Sequence, residues 1–314
     1  MSAEEPDAGA ASPIDAETRG RALALKIEAA RVVDGLLSGM HKSPHRGASV
    51  VFVEHRDYRP GDDPRLLDWR AFARSDRHTI KRFEQESQLA ASLVLDASCS
   101  MDYAARFGGG PTKLEHAARL LAAVGTILRA QGDAVGLVRF DHEVTAELRP
   151  RSHASHEERL LAELARPARP APEGRGTALA EALERVVEQR VRRGLVVIAS
   201  DLLLLDAPSD PLALLDRLRA RGHEVWVLHV LTRDELELPD PDAARFLGCE
   251  HEPPITADPV PLRAAYLAEL GRFLDGRTAR IAAAGARYAL ARTDVPAHET
   301  LARLIASRGG SRWG

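Results

Sequence analysis

The sequence predicts an α/β fold: a doubly wound, mostly parallel six-stranded sheet with helices on both faces. Three observations carry this. From residue 91 onward, short apolar runs alternate with longer helical patterns. Two of those runs, "LVLD" and "GLVVIASD", are nearly unbroken in apolar residues until a terminal acid, as strands covered on both faces are. One connection, within "FDHEVTAEL", leaves room only for a hairpin turn, so a single neighbouring pair is antiparallel.

In chain order, the acidic, small-residue stretch 1–14 is expected to be disordered. A helix follows from Asp15 to about Ser38, with Leu23, Ile27, Ala30, Val33 and Leu37 as its apolar stripe and Gly39 as its stop. It is expected to pack on its own domain. "ASVVFVEHR" and "HTIKRFEQES" read as short strands around a charged segment turned by Pro60-Gly61. The six sheet strands are Ser92–Leu95, Ala134–Phe140, Val144–Leu148, Leu195–Ser200, Glu224–Val230 and Arg287–Ala291. Between the first two, Thr112 and Glu115 have capping-box spacing, and Leu114, Ala118, Leu121 and Leu128 line one helical face. Further helical patterns occupy 157–165, 177–191, 211–220, 263–284 and 297–306. The chain thus divides into a tail and N-terminal helix (1–42), a β/loop segment (43–90) and the α/β domain (91–314).

Composition narrows the function. Forty-three basic against 46 acidic residues give a net charge of −3, so no electrostatic case for nucleic-acid binding arises. Two cysteines make no disulfide framework, the N-terminus lacks a signal peptide's pattern, and no segment approaches about 20 apolar residues. A soluble cytoplasmic protein with no membrane span is expected.

"SLVLDASCSMDYA" carries the chemistry. In doubly wound folds the functional loops lie at the carboxyl ends of strands, near the point where the strand order reverses. Asp96, Ser98 and Ser100 alternate there, so a curling loop can aim three oxygens at one point. Oxygen donors at that density suit a hard cation such as Mg²⁺, with Mn²⁺ or Ca²⁺ as alternatives. Thr177, opening a helix after glycines in "GRGTALAEAL", and Asp201, ending "GLVVIASD", are the further ligands expected from other strand ends.

"DASCS", Thr177 in "GRGT" and Asp201 in "ASDL" resemble the metal-ion-dependent adhesion site of von Willebrand factor A domains. That resemblance implies a von Willebrand factor A-like sheet. It also implies that the serines, and in some states the threonine, touch the metal directly, while the aspartates act directly or through water. A partner's carboxylate often completes the sphere. A cation held largely by neutral hydroxyls keeps more of its charge for such an external Asp or Glu.

The segment "HRGASVVFVEHRDYRPGDDPRLLDWRAFARSDRHTIKRFEQE", the run Asp133-Ala-Val-Gly-Leu with Phe140, "RDELELP" and "DPVPLRAAYLAEL" are similar to the bacterial domain-of-unknown-function 58 family, over roughly residues 43–306. Such proteins are commonly encoded beside MoxR-type AAA+ ATPases. The resemblance therefore implies a regulatory or chaperone-like partner of such an ATPase or of its client. The charged block from Tyr58 to Arg77 reads either as a salt-bridged turn packing Tyr58, Trp69 and Phe72, or as a docking surface.

Other chemistries fit less well. A phosphoryl-transfer site built on Asp96 would want a second acid where Ser98 stands, and "DASCS" lacks the glycines of a nucleophile elbow. A metal-dependent hydrolase using Asp96 and Asp201 with bound water is the alternative to a non-enzymatic binding module. His153 and His156 read as a solvated pair, Cys99 as a buried inert thiol, and Lys113 as a surface residue after the loop "GGGPT".

Overall fold

The structure is a computed structural model that describes residues 15–40, 55–57, 79–81, 89–170, 177–189, 193–204, 210–239, 244–246, 248 and 253–306. Residues 1–14, expected as a disordered tail, and the Tyr58–Arg77 block lie outside the described residues. The chain divides into two compact units, one formed by Met1–Ser43 with Leu89–Trp313, the other by Pro44–Gln88. Within the smaller unit, β1 (His55–Asp57) pairs antiparallel with β2 (Thr79–Lys81), His55 opposite Lys81.

The larger unit is built on a six-stranded sheet of β3 (Ala90–Asp96), β4 (Ala134–Phe140), β5 (Val144–Arg151), β6 (Gly194–Ser200), β7 (Glu224–Leu231) and β10 (Arg287–Arg292). Their spatial order is β10-β7-β6-β3-β4-β5, and every pair is parallel except the β4–β5 hairpin. This is the doubly wound arrangement expected. The chain leaves β3 for β4 on one side and β6 for β7 on the other, so the order reverses between β3 and β6.

Strand alternation sorts the core into two layers. On one face Leu93, Leu95, Leu137, Val197 and Leu228 pack against α2 (Lys113–Ala130), α3 (Ala154–Leu164) and α8 (Ala297–Ala306). On the other, Val94, Val138, Ile198 and Val227 meet α4 (Leu179–Glu188), α5 (Ala213–Ala220) and the end of α7 (Pro259–Ala283). Each such apolar side chain contributes about 1.5–3 kcal/mol when fully buried. The Thr112–Glu115 capping box forms as read, and Leu114, Ala118, Leu121 and Leu128 are all buried. At the β5 edge, a Cβ on Gly136 would lie 2.5 Å from the Leu148 carbonyl oxygen and 2.8 Å from Pro150 N, so only glycine lets the irregular β5 backbone approach so closely.

The N-terminal helix α1 (Ala16–Met40) packs on α2, α3 and α8, as a third layer outside the sheet. Its buried face differs from the stripe read in the sequence. Ala22, Leu25, Ala29 and Leu36 are buried, whereas Leu23, Ile27 and Leu37 are half or more exposed. Alanine permits close approach of helix to helix, which hydropathy alone does not score. Arg119–Glu28 and Lys26–Glu157 ion pairs flank this seam.

Two elements have no counterpart in the sequence reading: the short helix α6 (Arg233–Glu237) and the β8 (Ala244–Phe246)–β9 (Ile255–Ala257) hairpin. His156 also departs from expectation. It is buried, with Nε2 2.8 Å from the Val135 carbonyl oxygen, because α3 lies down on the sheet and carries it inward.

Candidate functional site

β3 and β6 run side by side in parallel register, with Leu95 opposite Ala199, so Asp96 and Ser200 emerge level with each other. Asp96 is buried. One carboxylate oxygen accepts the Ser98 backbone N–H at 3.0 Å, and the other accepts the Ser200 hydroxyl at 2.6 Å. The chain then coils through a 3-10 turn, Cys99–Asp102, that brings the Ser98 and Ser100 hydroxyl oxygens within 3.1 Å of each other. The Ser100 hydroxyl also lies close enough to Asp201, across the switch point, to help lower its carboxyl. Four of the five residues singled out in the sequence, Asp96, Ser98, Ser100 and Asp201, therefore share one buried cluster.

Thr177 arrives from a different direction. The Ala178 N–H donates to the Asp141 carbonyl oxygen at 2.9 Å, tethering this segment beyond the end of β4, the strand beside β3. The Thr177 hydroxyl is buried and has no hydrogen-bond partner among the described residues. A buried hydroxyl left without a partner costs roughly 1–3 kcal/mol, so its retention calls for an explanation.

Asp201 is held from several sides. One carboxylate oxygen accepts the Leu203 N–H at 3.2 Å, and the other accepts the Lys113 ammonium at 2.8 Å. Its carbonyl oxygen lies 2.8 Å from His229 Nε2, while His229 Nδ1 lies 2.9 Å from the Tyr288 hydroxyl. Burial lowers His229 to about 4, so the ring is neutral, and donation from Nε2 to the carbonyl fixes its tautomer. The next residue, Leu202, sits at φ +54 and is fully buried, a left-handed backbone at a non-glycine position beside the site.

Lys113 is the largest departure from the sequence reading. It was expected at the surface, yet it is 1% exposed, with its ammonium 2.8 Å from Asp201 and 2.6 Å from Glu235. Glu235 is fixed in turn by the Thr232 N–H and hydroxyl, at 2.7 and 2.8 Å, within the capping box of α6. The adjoining Asp234 accepts the Tyr103 hydroxyl and the Arg106 and Phe107 N–H groups. Asp234 and Glu235 thus grip both ends of the loop that carries Gly108, Gly109 and Gly110, all at positive φ. A signal for Lys113 was present: it occupies the first turn of α2, where the helix dipole disfavours a cation unless carboxylates hold it there. Ser200 and His229 carried no comparable signal, since each owes its role to strand adjacency, whereas Glu235 stands in the Thr232-x-x-Glu235 spacing of a capping box.

The electrostatics divide the two aspartates. Burial, then the negative charge of Asp201, raise the Asp96 carboxyl to about 7, against the hydrogen bonds from Ser200 and Ser98. Burial pushes Asp201 up as well, but the Lys113 ammonium, its hydrogen bond and the nearby Ser100 hydroxyl reverse the effect and hold Asp201 below the usual carboxylate range. Burial likewise opposes the charged Lys113, and the carboxylates of Asp201 and Glu235 outweigh it, raising Lys113 above its ordinary value. Cys99, expected as a buried thiol, is partly exposed and free; Cys249 lies outside the described residues. Among the described residues no group of three or more His, Cys, Asp or Glu side chains is arranged to hold a metal, so any ion here would depend on hydroxyl donors.

Comparison with known proteins agrees with the resemblance in part. An uncharacterized protein of Mycobacterium tuberculosis is 28% identical over 293 residues, covering 90% of this chain and 87% of that protein. Among solved structures, the conserved hypothetical protein BatB from Bacteroides thetaiotaomicron is 18% identical with a TM-score of 0.40, covering 69% of this chain and 97% of that one. An aerotolerance-related membrane protein from Bacteroides fragilis is 20% identical with a TM-score of 0.35, covering 59% of this chain and 88% of that one. The cytoplasmic expectation is corrected here. That no helix among the described residues is long and apolar enough to cross a membrane does not place a protein in the cytoplasm. The family described as "Protein of unknown function DUF58" matches residues 54–270, more than half of the chain, and this protein belongs to that family.

Proposed function

We propose that this protein is a metal-dependent protein-binding module with a von Willebrand factor A-like adhesion site, built on Asp96, Ser98, Ser100, Thr177 and Asp201. The observation that carries the reading is the Thr177 hydroxyl, buried and unpartnered among the described residues, beyond the end of the strand next to the Asp96–Ser98–Ser100 cluster. The donor chemistry supports the same ion. Three hydroxyls and two carboxylates are hard oxygen ligands, which suit Mg²⁺, with Mn²⁺ or Ca²⁺ as substitutes. The upward shift of Asp96 marks a carboxylate lacking a local cation, and a divalent ion would supply one. When bound, the ion would offer a positive centre for an acidic side chain of another protein. The chain's own part is to fix the donors: Ser200 and the Ser98 N–H orient Asp96, and Lys113 and the Leu203 N–H orient Asp201. The partner class implied by the family resemblance is a MoxR-type AAA+ ATPase or its client.

Titration of the purified protein with MgCl₂ by calorimetry, followed by capture of a MoxR-type ATPase in Mg²⁺ and in EDTA, tests the proposal. Wild type is expected to bind Mg²⁺ and to capture the ATPase only in its presence. Asp96→Ala is expected to lose both while keeping its circular dichroism spectrum. Equal capture by both proteins in EDTA and in Mg²⁺ would sink the idea.

A further inference from the structure

The neighbourhood of the site holds a charge arrangement that the ligand set does not use. Asp96, Asp201 and Glu235 bring three carboxylates, and Lys113 brings the one ammonium hydrogen-bonded within them. Lys113 is 1% exposed, so its charge is not dissipated into water, and it cannot reach a partner at the surface. Its hydrogen bonds go to Asp201 and Glu235, and Glu235 is locked by Thr232 on its other oxygen. Ordinary helix design places acids, not lysine, in a first turn. This lysine is therefore held by the site, and its charge offsets one of the three carboxylates.

We propose that Lys113 is a built-in second cation: it takes one oxygen of Asp201 and one of Glu235 for itself, leaving two net negative charges and so room for a single divalent ion of restrained affinity. The inference rests on the metal reading above. Lys113 acts through Asp201 as a positioning residue, not as a ligand. Two consequences separate this role from a merely structural one. Removing the ammonium leaves the site more negative and frees two carboxylate oxygens, so metal binding strengthens even as the metal-free fold weakens. Removing the Glu235 charge makes the site less negative, so metal binding weakens. A lysine that only held the fold together would shift both variants toward weaker binding.

The test is Mg²⁺ and Mn²⁺ titration of the full chain by calorimetry, for wild type, Lys113→Met and Glu235→Gln, with thermal melts in EDTA and in excess metal. Lys113→Met is expected to bind metal at least about tenfold tighter than wild type, or to bind a second ion, and to gain more thermal stability from metal than wild type does. Glu235→Gln is expected to bind several-fold more weakly, a result that carries the test if Lys113→Met does not fold. Unchanged affinity and stoichiometry in both variants, or a loss in both, overturns the inference and leaves the metal reading standing. Metal binding by Lys113→Met but not by wild type overturns both, since the ammonium would then be the resident cation and leave no room for a divalent ion. No metal binding by any of the three overturns both.

Discussion

Asp96 and Asp201 end neighbouring strands of one sheet, and both are almost fully buried. Their carboxyl groups are nonetheless driven in opposite directions: Asp96 well up, Asp201 down. Burial acts on both alike. What differs is the company each keeps. Asp96 has neutral donors, a hydroxyl and a backbone N–H, whereas Asp201 has an ammonium at 2.8 Å. Hydrogen bonds orient a buried carboxylate, but only a nearby positive charge keeps it ionised at modest cost. One aspartate has its cation in the chain, and under the proposed function the other takes one from solution.

The sharpest way to break this comparison is to neutralise each acid in metal-free protein. Asp201→Asn strips Lys113 of one of its two counter-charges in a dry site and is expected to cost about 3 kcal/mol or more, read by urea unfolding in EDTA at pH 8. Asp96→Asn removes a carboxylate without a nearby cation and keeps an acceptor for Ser200; its metal-free stability is expected to stay within about 1 kcal/mol of wild type or to rise. Similar losses in both variants would show that the two sites are electrostatically alike.

The pH dependence sharpens the same contrast. Asp96 titrates near 7 in the folded state against 3.8 when free, so the folded protein holds that proton more tightly. Its ionisation therefore costs nothing at low pH, and the metal-free fold loses stability as pH rises from about 4 to about 7. Asp201, held below its free value, contributes stability that is present above that value and lost as pH falls. Stability profiles in EDTA, taken as wild type minus variant, should slope downward with pH for Asp96→Asn and upward for Asp201→Asn. Parallel profiles would contradict the assignment.

The smallest expected effect belongs to Thr177→Val. Its hydroxyl has no partner among the described residues, so metal-free stability should change by no more than about 0.5 kcal/mol, while Mg²⁺ affinity falls several-fold. A large loss of stability without metal would mean the hydroxyl is satisfied by something other than an ion.

Much of the fold was legible because strand burial writes itself into composition. β4 was read from Ala134 to Phe140 and spans those residues, and the α2 cap at Thr112 and Glu115 formed as its spacing required. The α1 face was misread for a physical reason. Its contact with the layer beneath relies on Ala22 and Ala29, small residues that allow close packing, while the larger Leu23 and Ile27 look outward. His156 was misplaced for a related one, since a polar surrounding sequence does not say which way a helix lies on a sheet.

By itself the sequence determined the order of the six sheet strands and the longer helices, and it put Asp96, Ser98, Ser100, Thr177 and Asp201 at strand ends and loops where such folds place chemistry. Those are local properties of hydrophobic period, caps and turns. Only the tertiary structure decided the company of each acid. It set Ser200 beside Asp96 through the parallel β3–β6 register, and it brought Lys113 between Asp201 and Glu235, residues 88 and 122 positions away in the chain. Charge–charge distance is a property of folded space, and no spacing rule along a chain reports it.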